Sequence, residues 1–181
     1  SIKSFSIADE ISDFQIEEIS IGESLLNHIN KQLIQQKKNS YSDNGYIYNS
    51  KDYYSLTFSK NLDMKNYDQI QIHLKDKDES YIIKSISGIK LFRNDYDGCI
   101  PLLKTIEQEL DNLLSSAEKE TASSTLSKLD KSKGYWYLYP DGSNVYIGCE
   151  DWSVKSKIPD CLAVVVNSSK FQKFIDNKAY N

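Results

Sequence analysis

Arginine is almost missing from this chain: Arg93 is the only one among 22 basic residues. Forked, bidentate grips on phosphate or carboxylate are therefore nearly excluded, because lysine presents a point charge where arginine presents a planar pair of donors. The basic residues are scattered and are outnumbered by 26 acidic ones, giving a net charge of −4. No basic stripe marks a nucleic-acid surface, and no nucleic-acid partner is expected. Histidine is as scarce, with only His28 and His73, and the three cysteines Cys99, Cys149 and Cys161 form no C-x-x-C pair. No zinc quartet follows from that set, and no metal or cofactor is expected. With 7 glycines and 3 prolines, the chain has neither a phosphate-cradling glycine loop nor a nucleophile elbow. No apolar run reaches spanning length, so no transmembrane segment is expected.

What is present is aromatic. Hydrophobic residues make up 39% of the 181, and 13 tyrosines help raise the aromatic share to 12%. Such a chain can bury a sizeable core as a single domain, 1–181. The stretch 134–166 organises the reading. Tyr135 to Tyr139 is wholly aromatic or leucine, Pro140-Asp141-Gly142-Ser143 supplies turn chemistry, and Val145, Ile147 and Cys149 alternate on the returning strand. Pairing Trp136 and Leu138 with Val145 and Ile147 gives an inner face and leaves a tyrosine ladder outside. Cys161 to Val166 is apolar without alternation and reads as a central strand beside this hairpin, which is placed at the sheet edge.

Elsewhere Phe14 to Ile16 reads as a short strand. Ser20 and Glu23 have capping-box spacing before Leu25, Leu26, Ile29, Leu33 and Ile34, which predicts an amphipathic helix of about four turns. Tyr53 to Phe58, Asp68 to Lys75 and Tyr81 to Phe92 form a meander bent at Gly88, with Ile70, Ile72 and Leu74 inward and His73 away from the core. The acidic tip Asp76-Lys77-Asp78-Glu79 lacks the glycine and distal glutamate of a calcium loop. A second helix runs from Pro101 as a first helical residue to Ala117, and Glu107, Glu109 and Asp111 line its outer side. The span 118–133 reads as a mobile connection, and Ser168 or Ser169 caps a closing helix carrying Phe171, Phe174 and Ile175. The fold class is α+β: antiparallel meanders with helices packed on one side, in the order β-α-βββ-α-βββ-α. Two α-plus-meander halves, 14–95 and 96–181, are traceable without shared residues.

Three separated cysteines suit one disulfide and one remaining thiol in an oxidising compartment, or three buried thiols in a cytoplasmic protein. By position alone Cys149 pairs equally well with Cys161 or with Cys99. The phrase FQIEEISIGESLLNHI (Phe14 to Ile29), a cysteine leading C-x-x-x-x-K-x-I-x-x-E-L (Cys99 to Leu110), and C-E-D-W (Cys149 to Trp152) resemble small uncharacterised exported proteins of marine, low-GC alphaproteobacteria. That resemblance implies a removed leader, consistent with a chain starting at Ser1, a periplasmic or secreted location, and a Cys99–Cys149 disulfide; it carries no activity. I-x-I-G-x-S-L entering a helix is similar, more loosely, to BamE-like and β-lactamase-inhibitor-like envelope proteins, which implies binding of another protein.

Three functional classes follow. The first is a non-enzymatic extracytoplasmic binding or envelope-accessory protein contacting a protein partner through Tyr135, Tyr137, Tyr139, Tyr146 and Trp152. The second is a small-ligand or glycan-binding protein using the same rings as a platform, with Asp141, Asn144, Glu150 and Asp151 as polar contacts. The third is a thiol-dependent enzyme with the unpaired cysteine, His28 or His73 as base and Asp160 or Asp151 to orient it. No local signature joins those last residues, so the expectation is that the protein is not an enzyme.

Overall fold

The structure, a computed structural model, describes residues 11–122, 129–152 and 158–181. The lead-in before residue 11, the middle of the 118–133 connection and residues 153–157 lie outside it. A two-stranded ribbon, β1 (Gln15–Ile16) and β2 (Ile19–Ser20), precedes helix α1 (Lys31–Asn39). Then come β3 (Tyr53–Phe58), β4 (Gln69–Lys75), β5 (Ile83–Leu91) and helix α2 (Tyr96–Leu113). The chain closes with β6 (Glu118–Ala122), β7 (Leu129–Leu138), β8 (Asn144–Trp152), β9 (Cys161–Asn167) and helix α3 (Ser169–Asn177). Strands β3 to β9 build one seven-stranded antiparallel sheet in the order β3-β4-β5-β9-β8-β7-β6. The class is α+β, and residues from 14–95 and from 96–181 share that sheet.

Register defines two faces. On the inner face Leu56, Ile72, Ile86, Val166 and Val145 stand opposite one another across five strands, and all are fully buried. Regular alternation would put Ile83 and Ile86 on opposite faces; a bulge in the β4–β5 pairing brings both inward. The bend expected at Gly88 falls there instead, and Gly88 gives room to the Tyr67 ring. Strand β9 is central, as its unbroken apolar run requires. The β7–β8 hairpin is not the edge: β6 pairs outside it, Lys119 opposite Tyr137 and Thr121 opposite Tyr135.

Helices α1 and α2 cover the inner face. In α2, Cys99, Leu103, Ile106, Leu110 and Leu113 recur at helical spacing and are buried, the four aliphatic ones each contributing about 1.5–3 kcal/mol relative to exposure. The helix starts a turn before the expected proline, because Asp95 accepts from the Gly98 N–H as its cap; Pro101 falls in the second turn, on the exposed side. The first predicted helix is broken. Ser20 N–H does donate to Glu23 at 2.6 Å, but residues 22–25 spend their backbone groups on 81–83. Only a single 3-10 turn, Leu25–Asn27 capped by Ser24, forms there, and α-helical winding follows Asn30, whose side chain caps α1 through the Leu33 N–H. Helix α3, capped by Ser168, departs from the expected one-sided packing and covers one end of the outer face.

Both sheet edges carry local features. On β3, Ser55 N–H donates to the Gly45 carbonyl at 2.8 Å, and Thr57 N–H to the Tyr41 hydroxyl at 2.9 Å. On β6, Glu118, Lys119 and Glu120 are exposed.

Candidate functional site

Cross-strand register decides which aromatic rings are free for contact. Tyr135 and Tyr137 stand opposite Ile147 and Val145, which are buried on the inner face, so both tyrosines point toward α2. Tyr137 is 1% exposed, and its hydroxyl donates to Asp111 Oδ1 at 2.7 Å and to the Glu107 carbonyl at 3.3 Å. The Lys119 ammonium lies 4.7 Å from the Tyr135 ring centre and pairs with Glu107 and Asp111. Tyr139 packs on the same core. The expected contact surface of Tyr135, Tyr137 and Tyr139 is corrected: they share a face, as alternation demands, but it is the covered one. Trp136 and Leu138 oppose Tyr146 and Asn144 instead of Val145 and Ile147. Five consecutive large side chains fit either assignment by hydropathy alone. On the inward side α2 supplies polar partners for the Tyr137 hydroxyl, the most deeply buried of the three.

Tyr146 is on the outer face, half-buried, with its ring 4.8 Å from that of Trp136. Gly134 and Gly148 stand opposite each other on the same face, and the Tyr146 ring folds down over both: a Cβ at Gly134 would meet Tyr146 Cε2 at 3.0 Å, and one at Gly148 would strike the Tyr146 hydroxyl. That hydroxyl donates to Glu150 at 3.3 Å. Gly148→Ala is expected to lift the ring off the sheet and cost about 1–3 kcal/mol, read as a lower denaturant midpoint with altered tryptophan emission.

Trp152, at the far end of β8, borders a concave opening. Asn94, Asp95, Tyr96 and Asp97 before and within the first turn of α2, with Lys131, Asp151, Trp152 and Asp160, enclose a cavity of about 270 Å³. Trp152 is held twice, its backbone N–H donating to Asp160 Oδ1 at 3.2 Å and its indole N–H to Glu150 Oε2 at 3.1 Å. Asp160 is 5% exposed and anchors Phe92 through its own carbonyl. The Lys131 ammonium sits 4.4 Å from the Tyr96 ring centre, 3.7 Å from Asp97 and 3.9 Å from Asp151. Burial, with Asp151 and Asp97 nearby, pushes the Tyr96 phenol up. Four aspartates against one lysine make the opening acidic. Two half-buried rings give it stacking surface.

The Cys99–Cys149 disulfide is present, with Cα atoms 6.0 Å apart, and it explains the cleft. It ties the first turn of α2 to β8 two residues before Asp151, so Asn94 to Asp97 must meet Asp151 and Trp152. Sequence reasoning found Trp152 and Asp151 but missed Asn94, Tyr96 and Lys131. The cysteine pairing was the signal that links them.

The remaining candidates go elsewhere. Asp141 accepts from Ser143 and closes the hairpin turn; Asn144 bonds Gln172 of α3; Glu150 is raised by burial and accepts from Tyr146, Trp152 and Cys161. Burial pushes the Cys161 thiol up to about 12, which keeps it protonated and weakly nucleophilic. His28 pairs with Glu23 and His73 with Tyr48, so neither histidine reaches the sulfur. A second opening of about 290 Å³ beside α1 is lined by Lys38, Tyr54 and Asp76 among others. Its most central charges satisfy each other, Lys38 lying 3.0 Å from Asp76 and Tyr46 donating to Asp76 at 2.6 Å, while Lys31, Lys77, Asp78 and Glu79 complete the lining. Among the described residues, no three His, Cys, Asp or Glu side chains are placed to hold a metal ion, and no helix is long and apolar enough to cross a membrane.

The chain matches no protein-family model, and comparisons with curated proteins and with solved structures return no match.

Proposed function

We propose that this is a non-enzymatic binding protein of an oxidising, extracytoplasmic compartment, and that the cleft between the start of α2 and the end of β8 takes a small, neutral, polyhydroxylated ligand such as a glycan unit. The observation that carries this reading is Trp152 and Tyr96 sharing one concave opening with Asn94, Asp95, Asp97 and Asp151. Flat rings stack on the apolar faces of sugars, and carboxylates and amides bond the hydroxyls around their rims. An acidic rim with one lysine disfavours phosphorylated or carboxylated ligands. The Cys99–Cys149 disulfide supports the compartment, since such bonds persist where thiols are not kept reduced. The burial of Tyr137 weighs against the protein-partner reading, which relied on an exposed ladder.

The test is titration of ¹⁵N-labelled protein with a panel of neutral oligosaccharides. At least one should shift the Trp152 indole and Asn94 amide signals together, and Trp152→Ala should weaken that sugar more than about 10-fold while leaving the backbone spectrum folded. If no sugar moves those signals, or if Trp152→Ala binds as well, the reading is wrong.

A further inference from the structure

Helix α3 is attached through a hydrophobic cluster of its own. Tyr53, Phe171, Phe174 and Ala179 form it, with Tyr48 and Ile175 packed against them. None of these belongs to the main core under α1 and α2. The tail behind the helix is tied to the 46–52 segment, where Asn49 donates its backbone N–H to the Ala179 carbonyl at 2.9 Å and its side-chain amide to the Tyr180 carbonyl at 3.1 Å.

Beneath α3 runs a row of polar side chains on the outer face: Ser55, His73, Ser85, Asn167 and Asn144, each opposite the next across β3, β4, β5, β9 and β8. All five are buried. Three of them are satisfied together with α3: Ser85 donates to Asn167, Asn167 to Asn144, and both asparagines to Gln172. His73 stands apart. Its Nε2 meets the Tyr48 hydroxyl at 3.1 Å, while its buried Nδ1 has no partner. The Phe171 ring centre lies 4.8 Å from the imidazole and that of Tyr48 5.9 Å away. A proton on this ring would put a cation under apolar rings with one N–H unsatisfied.

Among the described residues no charged group compensates. Ser55 faces the ring from β3, Ser85 from β5, Phe171 from α3 and Tyr48 from the preceding segment. The lysines and aspartates of these elements, Lys51, Asp52, Lys75, Lys170, Lys173, Asp176 and Lys178, are exposed, and Lys84 and Lys90 are only half-buried. The Tyr48 and Tyr53 phenols are raised by burial and stay neutral in the acid range.

We propose that α3 and the tail behind it form an acid-released latch: protonation of His73 undocks residues 169–181 from the outer face while the seven-stranded sheet and its main core stay folded. Burial lowers His73 from 6.5 to about 4. The docked state therefore binds the proton less well than the undocked state, so docking is intact above pH 6.5 and weakens as pH falls from 6.5 toward 4. The cluster that holds α3 has only four buried residues against the larger main core, so opening it exposes little apolar surface. Release uncovers the polar row and Tyr53.

Amide hydrogen exchange resolved by residue tests this. Between pH 7.5 and pH 4.5, protection factors of α3 amides, corrected for intrinsic rates, should fall on the order of 10²-fold relative to those of β9. In His73→Phe and His73→Gln, either of which removes the titration, α3 protection should be flat over the same range. Unchanged α3 protection in the natural sequence overturns the latch. So does an equal fall in β9, or the same fall in whichever variant folds.

Discussion

Replacing Cys99 and Cys149 by serine and alanine is expected to lower stability by about 4 kcal/mol, the loop-entropy value for a closed loop of 50 residues. For a chain of this length that corresponds to a melting temperature roughly 10 °C lower. Reductant should reproduce the loss in the natural protein and do nothing further to the variant. The denaturant slope should rise, because the denatured chain freed of the cross-link is less compact and exposes more surface; an unchanged unfolding free energy in water would mean the bond contributes nothing. A second consequence is local. The bond ties the first turn of α2 to β8 beside Asp151 and Trp152, so the sugar affinity proposed for the cleft should fall in the reduced protein at temperatures where it is still folded.

Tyr137→Ala is expected to cost about 3–5 kcal/mol, the usual range for deleting a large buried aromatic side chain. Tyr137→Phe should cost about 1–3 kcal/mol, since it keeps the packing and removes only the hydroxyl that Asp111 and the Glu107 carbonyl accept from. Trp136→Ala, next in sequence but on the outer face, should lose little more than the stacking with Tyr146, about 0.5–1.5 kcal/mol. Chemical denaturation of the three variants gives the order directly. Were Trp136→Ala the most damaging, the face assignment of β7 would be reversed.

That assignment shows where sequence reasoning reaches its end. Alternation of Ile70, Ile72 and Leu74 identified β4 and its inner face because each apolar residue has a polar neighbour. In the Tyr135–Leu138 part of β7 every position is large and aromatic or apolar, so nothing in that run says which set is buried; Glu107 and Asp111, about 30 residues earlier, decide it. Strand β6 was hidden for a related reason. Glu-Lys-Glu-Thr-Ala has low strand propensity, and it extends only because β7 offers it a ladder and aromatic neighbours. The first predicted helix had apolar residues at helical spacing, yet 22–25 found better backbone partners in 81–83. Glu17 gives no sign in the sequence of its role. It turns the β1–β2 ribbon at φ 51° while its carboxylate collects the N–H groups of Lys65, Asn66 and Tyr67. The cleft was half legible: Trp152 stood out as a rare ring among acids, whereas its other wall arrives through the disulfide.

The two flanks of the sheet bear on how this molecule behaves in a crowd of its own copies. An open antiparallel sheet offers its unpaired backbone groups to any extended chain that drifts past, and fibres grow from such rims. Here one rim is already occupied from within, because Gly45 and the Tyr41 hydroxyl take the N–H groups of Ser55 and Thr57. The other rim presents alternating charges, and an incoming identical strand would have to strip water from them. Self-association by strand addition is thereby disfavoured at both sides. Anything that engages it has to approach a face or the cleft.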